Sequence, residues 1–337
     1  MIELLQITEI MRRVRGALGD EAFAERYPNL LALFNGQERP SAEDVFLTLR
    51  SELSSEPDLA DAFLMLGARR DLQQSVQTHD FAYLDASSAE GIAIRAAVGE
   101  RMNLPFRLAN YLCHLSRRHR LLYVATPKVG CTAIKHMLQQ AELGGRLTYR
   151  RYGDEHNPVL SPLLAPLDDP DLFDAVMNGQ PGSGEGWFRF TFVRNPFVRV
   201  LSCYLDKIVN SIPERMRLLP ILGLDPKAGV PDFRTFLEAI AVTPVPDHDV
   251  HWAPQAWLLQ PDHVPYDFIG RMERFDADLE YVCDRLGIDR TPSPPAHSTC
   301  AAEQIASHYG PEEAALVRSI YGEDFKRFGY DVWQVLK

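Results

Sequence analysis

Hydrophobic and polar positions along the 337-residue chain fall into two regimes. In residues 2–18 the apolar side chains Leu4, Leu5, Ile7, Ile10, Met11 and Val14 recur at helical spacing, and Gly19-Asp20 ends the run. A second helix is expected from Ser41, with Glu43 and Asp44 in the first turn, where the helix dipole favours acids. A third is expected over residues 58–66. The pattern predicts a helical N-terminal module over residues 1–95 and a second domain over 96–337, with the junction in the ambiguous Ala/Ser-rich stretch 75–100. No residues in the module have catalytic spacing. It reads as an appendage that packs on the main domain or on a partner, a homo-oligomer through these helices included.

From about residue 118 strands alternate with helices, which argues for an α/β domain with a central, mainly parallel sheet. Residues 121–125 read as a short apolar strand, 126–131 as a loop. A helix follows from Thr132, with Ile134, Met137, Leu138 and Ala141 on its inner face and His136 on its outer surface. Residues 187–193 are the clearest strand, with Phe188, Phe190 and Phe192 on one face and Trp187, Arg189, Thr191 and Val193 on the other. Asn195 is a good N-cap and Pro196 a good first residue for the next helix, whose inner face carries Val200, Leu201, Tyr204 and Ile208. Residues 212–246, rich in proline, read as loops around a short helix near 233–241. Residues 266–270 read as a strand. Amphipathic helices are expected over 275–286 and 311–325, joined by a proline-rich loop at 291–295.

Composition narrows the class. Hydrophobic residues are 46% and charged residues 24%, which excludes a disordered, collagen-like or coiled-coil chain. No apolar run reaches about 18 residues, so no membrane span is expected. Glu3 and Glu9, without a basic stretch, argue against a secretory signal. Five scattered cysteines fit a reducing, cytoplasmic setting rather than a disulfide scaffold. The net charge is −11, and residues 1–100 hold 17 acids against 9 arginines and no lysine. Such a surface repels nucleic-acid backbone. A small anion needs only a local cluster of donors, and the first lysine of the chain is Lys128.

Two constellations supply candidate donors. In the first, a strand leads through Pro127-Lys128-Val129-Gly130-Cys131-Thr132 into a helix. Amides at a helix start make an anion site, Gly130 permits close approach of backbone to ligand, and Lys128 adds a full charge. Alone, the hexapeptide reads equally as a βα turn with an exposed lysine. It is not the G-x-x-x-x-G-K-[ST] loop of nucleoside triphosphate enzymes, because the lysine precedes the glycine, and a kinase is disfavoured. In the second constellation, a strand delivers Arg194 to its end, and Ser202 lies two turns into the next helix. Together they suit a second phosphate, with arginine donating in bidentate fashion. Taken alone, Arg194 would pair with a carboxylate and Ser202 would be a packing residue.

With both constellations present, the chain resembles the carbohydrate sulfotransferases, and among them the chondroitin/dermatan 4-O-sulfotransferase group. P-K-V-G-C-T-A-I-K at 127–135 resembles their 5′-phosphosulfate loop, and F-V-R-N-P-F-V-R-V-L-S-C-Y at 192–204 their 3′-phosphate motif. H-W-A-P-Q at 251–255, Y-D-F-I-G at 266–270, E-R-F at 273–275 and Y-G-E-D-F-K-R-F-G-Y-D at 321–331 extend the likeness over about 118–331. The resemblance implies a P-loop-like sulfotransferase fold and 3′-phosphoadenosine 5′-phosphosulfate (PAPS) as donor, with no metal required. It implies that Lys128 acts on the leaving phosphate or sulfuryl oxygens. The amides of Val129, Gly130, Cys131, Thr132 and Ala133 would surround the 5′-phosphate, and Arg194 and Ser202 would hold the 3′-phosphate. The expected acceptor is a carbohydrate or glycoconjugate hydroxyl. The alternatives are a non-sugar alcohol or phenol, or a module that binds PAPS or its product without turnover.

Leu259 and Asp262 stand near positions where animal members carry two cysteines. That departure fits a cytoplasmic, bacterial protein. For the base, His251 is the first candidate, with Asp249 and His248 beside it, and His156 the second. A metal pair of His248 and His251 lacks a third ligand. Cys131 as a nucleophile is the weakest reading, and Cys203 and Cys283 belong to the core. Trp252 and Trp257 are candidates both for stacking on a sugar and for burial.

Overall fold

A computed structural model of the chain describes residues 15, 19–36, 48, 89–142, 144, 156, 161–179, 186–290 and 299–332. The helices expected over 2–18, from Ser41 and over 58–66, and the loop at 291–295, lie outside the described residues except for Arg15 and Thr48. Two short helices follow Gly19, α1 (Asp20–Arg26) and α2 (Pro28–Gly36). Gly19 takes φ 79°, and Asp20 and Glu21 open α1 with charge its first turn favours. The helix α3 (Ala89–Met102) runs through the 95/96 junction and packs on α4 (Phe106–Leu112).

The sheet has order β1-β2-β3-β4, formed by Cys113–Ser116, Leu121–Val124, Phe188–Val193 and Phe268–Arg271. Strands β2, β3 and β4 are parallel, as the alternation of strands and helices predicts. The antiparallel edge strand β1, paired Cys113 to Val124, lies before the stretch where the strand pattern was expected to begin. It is four residues long and buried throughout, so period-two alternation gives no signal.

Both faces of the sheet are covered. Phe190 stacks between Tyr123 and Phe188 and meets Phe192 edge-on, and the three phenylalanines pack against α5 (Cys131–Glu142) and α11 (Phe275–Leu286). Full burial of each phenylalanine contributes about 1.5–3 kcal/mol. Leu122, Val124 and Val193 face α3, α4 and α6 (Pro170–Asn178) on the other side. Arg189 on that face is buried and neutralised by Asp267, to which Nε and Nη2 donate at 2.9 and 3.1 Å.

After β3, Asn195 caps α7 (Pro196–Cys203) by accepting from the Phe197 amide at 3.0 Å. The helix continues as a π-helical turn over Tyr204–Val209. The proline-rich stretch expected as loops begins instead with α8 (Ile212–Leu218). Ser211 caps it, and Pro213 lies in the first turn, where proline fits. Next come α9 (Phe233–Val242) and α10 (Gln255–Leu259), and, after β4 and α11, the single turn α12 (Ile305–His308). The helix expected over 311–325 is two, α13 (Pro311–Ile320) and α14 (Gly322–Phe328). They pivot at buried Tyr321, whose hydroxyl donates to the Trp252 carbonyl at 2.8 Å. No helix of the described residues is long and apolar enough to cross a membrane.

Candidate active site

The ends of the parallel strands open into a cleft of about 570 Å³. Lys128, Gly130, Cys131, Thr132, Ala133, Arg194, Ser202, His156 and His251 all line it. The two constellations and both candidate bases therefore share one space, although 66 residues separate Lys128 from Arg194. The side chain of Val129 is buried in the core, so only its backbone can face a ligand.

The first anion site is built by a turn out of β2. Lys128 holds φ 71° and Gly130 φ 82°, both in the left-handed region. A Cβ on Gly130 would lie 2.7 Å from the Phe275 ring, so the missing side chain makes room for Phe275 rather than for a ligand. The Ile134 amide donates to the Gly130 carbonyl at 3.2 Å, which starts α5. The amides of Cys131, Thr132 and Ala133 have no backbone acceptor among the described residues. Three free donors at the positive end of a helix, beside a lysine, fit a phosphate-type group.

The second site lies beside the first. Arg194 Nη1 donates to the Lys128 carbonyl at 3.1 Å. Its own backbone is clipped by Gln255: the Arg194 amide donates to Gln255 Oε1 and Gln255 Nε2 donates to the Arg194 carbonyl, both at 2.8 Å. Asp324, fully buried on α14, accepts from the amides of Gln255 and Ala256 at 2.8 and 2.7 Å and so anchors that clip. Ser202 Oγ lies 3.0 Å from Thr299 Oγ1. Arg199 is buried, and its guanidinium donates to the carbonyls of Pro127, Ala253 and Val250 at 3.0, 2.8 and 3.1 Å. One side chain thus ties the anion loop to the segment carrying His251.

His251 Nδ1 lies 2.5 Å from Asp249 Oδ1, which also accepts from the His251 amide at 3.1 Å. Burial raises the Asp249 carboxyl, but His251 and Arg217 outweigh it and hold it below its usual range. An anionic Asp249 on Nδ1 leaves Nε2 as the basic nitrogen. His156 Nε2 lies 2.9 Å from Thr132 Oγ1. Burial, then the charges of Lys135, His251, Lys207 and Lys128, push its imidazole down to about 3. It therefore stays neutral at physiological pH.

Several sequence expectations change here. His136 is only 7% exposed, not on an outer surface, because α5 buries polar residues on several faces. Trp252 is 0% exposed and packs edge-on against Phe236, and Trp257 packs on the core, so neither stands in the cleft wall; Tyr111 does. His248 Nε2 contacts the Thr243 and Ile240 carbonyls at 2.9 and 3.2 Å, away from His251. Leu259 is buried, and Asp262 pairs with Arg327 at 2.7 Å. Cys203 and Cys283 are buried as expected.

Lys135, Asp206, Lys207 and Glu214, which are not among the residues expected from the sequence, also stand in the cleft wall. Asp206 accepts from Lys128 Nζ at 2.9 Å and lies 3.3 Å from Lys207 Nζ. The signal for it was its spacing of four from Ser202, one turn farther along the same helical face.

Together these features define a class: an α/β protein with a P-loop-like turn whose free helix-start amides and lysine lie beside an arginine from the neighbouring strand end. The chain belongs to the sulfotransferase family, whose sequence model matches residues 113–331. It is similar to mouse carbohydrate sulfotransferase 14, with 28% identity over 240 residues that cover 66% of this chain and 61% of the relative. It is also similar to carbohydrate sulfotransferase 10 of Xenopus laevis, with 24% identity over 246 residues, covering 64% and 66%. Human carbohydrate sulfotransferase 14 is 27% identical over 239 residues, covering 66% and 61%. The chain thus spans less than two-thirds of the length of these relatives. No solved structure matches.

Proposed function

We propose that the protein transfers the sulfuryl group of PAPS to a hydroxyl of a carbohydrate or glycoconjugate. The observation that carries this reading is the convergence of Lys128, the free amides of Cys131–Ala133, Arg194, Ser202 and His251 on one cleft. Membership of the sulfotransferase family supports the donor, and the names of its carbohydrate-sulfating relatives support the acceptor.

PAPS, when bound, supplies an activated sulfuryl group. The chain's residues do the rest. The amides at the start of α5 and the Thr132 hydroxyl hold the 5′-phosphate, and Arg194 and Ser202 hold the 3′-phosphate. Lys128 neutralises charge that develops on the leaving phosphate oxygen, the kind of preorganised electrostatic stabilisation that contributes about 10²–10³ in rate. His251, oriented by Asp249, accepts the acceptor proton at Nε2. His156 at about 3 binds a proton too weakly for that role and instead orients the Thr132 hydroxyl. Sulfuryl transfer, like phosphoryl transfer, rests on in-line placement and charge stabilisation more than on covalent chemistry.

The decisive experiment is incubation with sulfur-labelled PAPS and a panel of saccharides and small hydroxylated or phenolic acceptors, with product masses read out. A sulfated saccharide is the expected result. Label found only on phenols or simple alcohols would reassign the acceptor, and no acceptor-dependent transfer at all would leave a binding module. In Lys128→Ala, transfer should fall at least about 10²-fold with unchanged melting.

A further inference from the structure

Lys135 is 2% exposed, among the most deeply buried large side chains, and yet it lines the cleft. It pairs with no carboxylate among the described residues, and its ammonium lies over the Tyr111 ring, 5.4 Å from Nζ to the centroid. Burying an ammonium without a counter-ion costs several kcal/mol, which a cation–π contact of about 1–2 kcal/mol only partly offsets. A charge in that state is relieved either by giving up its proton or by meeting an anion. The other cations of the wall have work already: Lys128 and Lys207 share Asp206, and Arg194 holds the Lys128 carbonyl.

The position of Lys135 indicates which anion. Helical side chains lean toward the N-terminus, so a lysine in the second turn of α5 reaches over the first turn, where Thr132 and the free amides lie. Of the charges that act on His156, which contacts Thr132, Lys135 ranks first, ahead of His251, Lys207 and Lys128. Lys135 therefore stands at the start of α5 near His156, in the wall of the same cleft that Lys128 and His251 line.

We propose that Lys135 is a second ammonium on the transferred sulfuryl group, acting with Lys128 from a different element. The proposal rests on the sulfuryl-transfer reading above. In the step it serves, a lone pair of the acceptor oxygen forms the new S–O bond, and the bond from sulfur to the bridging oxygen breaks. That electron pair stays on the 5′-phosphate, and the acceptor proton passes to His251 Nε2. The sulfuryl oxygens keep their negative charge throughout, and Lys135 supplies the compensating positive one. Burial pushes the free ammonium down to about 8, so an anion beside it also restores its full protonation.

The test compares equilibrium binding of two nucleotides, without acceptor, to the full chain and its variants by calorimetry. Adenosine 3′,5′-bisphosphate carries both phosphates and no sulfuryl group; PAPS carries all three. In Lys135→Met, PAPS affinity should fall about tenfold or more while bisphosphate affinity changes less than twofold, and Lys135→Arg should retain most of the PAPS affinity. Melting of ligand-free Lys135→Met should equal or exceed wild type, because an uncompensated buried charge is removed. If Lys135→Met does not fold, Lys135→Gln reads the same comparison. Equal weakening of both nucleotides, unchanged binding of both, or a change confined to the acceptor KM would each overturn the assignment. A wild-type chain that binds neither nucleotide would instead overturn the sulfuryl-transfer reading itself.

Discussion

Lys128 and Asp206, 78 residues apart in sequence, meet in the cleft as a 2.9 Å ion pair. The lysine sits on the anion loop in a left-handed backbone conformation, and the aspartate on the π-helical turn after α7. Burial raises the Asp206 carboxyl, but Lys128 and Lys207 outweigh it and hold it below its ordinary range. Asp206 is therefore anionic at neutral pH, and a nucleotide arriving at Lys128 must displace it.

Asp206→Asn should consequently bind adenosine 3′,5′-bisphosphate more tightly. The gain expected is about threefold, the worth of one partly exposed ion pair. Calorimetry in low salt reads it. Weaker binding would mean that Asp206 holds Lys128 in its productive place rather than competing for it.

Arg194 is expected to recognise the 3′-phosphate. In Arg194→Ala the dissociation constant for adenosine 3′,5′-bisphosphate should rise about 10–100-fold, the loss of one charge-assisted bidentate contact. Binding of adenosine 5′-monophosphate should barely move. If both nucleotides weaken equally, Arg194 acts through its contact with the Lys128 carbonyl and not on the 3′-phosphate.

The elements that build the cleft were largely legible. The strand at 188–193 and the Asn195-Pro196 start of α7 follow from side-chain alternation and cap chemistry, which are local. Lys128 and Arg194 stand out as residues at strand ends, whereas Ser202, inside α7, gained meaning only from the pairing of the two motifs and their resemblance to a family. What sequence did not give is long-range. Asp206 has no meaning until the π-helical turn brings it to Lys128, and Gln255 and Asp324 matter only because they meet at the Arg194 backbone. His136 misled because the helical pattern identifies the inner face but cannot see a second layer over the outer one. Ser161, which accepts from Gln139 Nε2 at 3.2 Å, belongs to such a layer.

The two histidines in the cleft should separate by kinetics. In His251→Ala, kcat should fall about 10²–10⁴-fold, the usual worth of a positioned general base, with nucleotide affinity retained. Asp249→Asn should lower kcat less, since it keeps the imidazole but loses the carboxylate that fixes its orientation. His156→Gln, which preserves a polar partner for Thr132, should stay within a few-fold of wild type. A collapse of kcat in His156→Gln together with a mild His251→Ala would exchange the two roles.

The far end of α5 provides a test of stability rather than of chemistry. Glu142 is buried there, accepts from Ser116 Oγ at 2.6 Å, and has no partner for Oε1 among the described residues. Burial raises its carboxyl from 4.5 to about 7, against the opposing effects of the Ser116 hydrogen bond and Arg118. His119 lies 4.0 Å away but is itself pushed down by burial, so it does not supply a cation above neutral pH. A carboxyl whose folded value is raised binds its proton more tightly in the folded chain than in the unfolded one. The folded state therefore bears no penalty below about 4.5, and stability is lost progressively as pH rises from there through 7. Glu142→Gln removes the charge while keeping an acceptor for Ser116. It should melt within a degree of wild type at pH 4.5 and several degrees higher at pH 8. The shift corresponds to a penalty on the order of 3 to 4 kcal/mol, at about 1.4 kcal/mol for each pKa unit. Calorimetric or fluorescence melts at the two pH values decide it. A melting difference that is the same at both, or a Glu142→Gln chain less stable at pH 8, would show that water or a counter-ion already compensates the carboxylate.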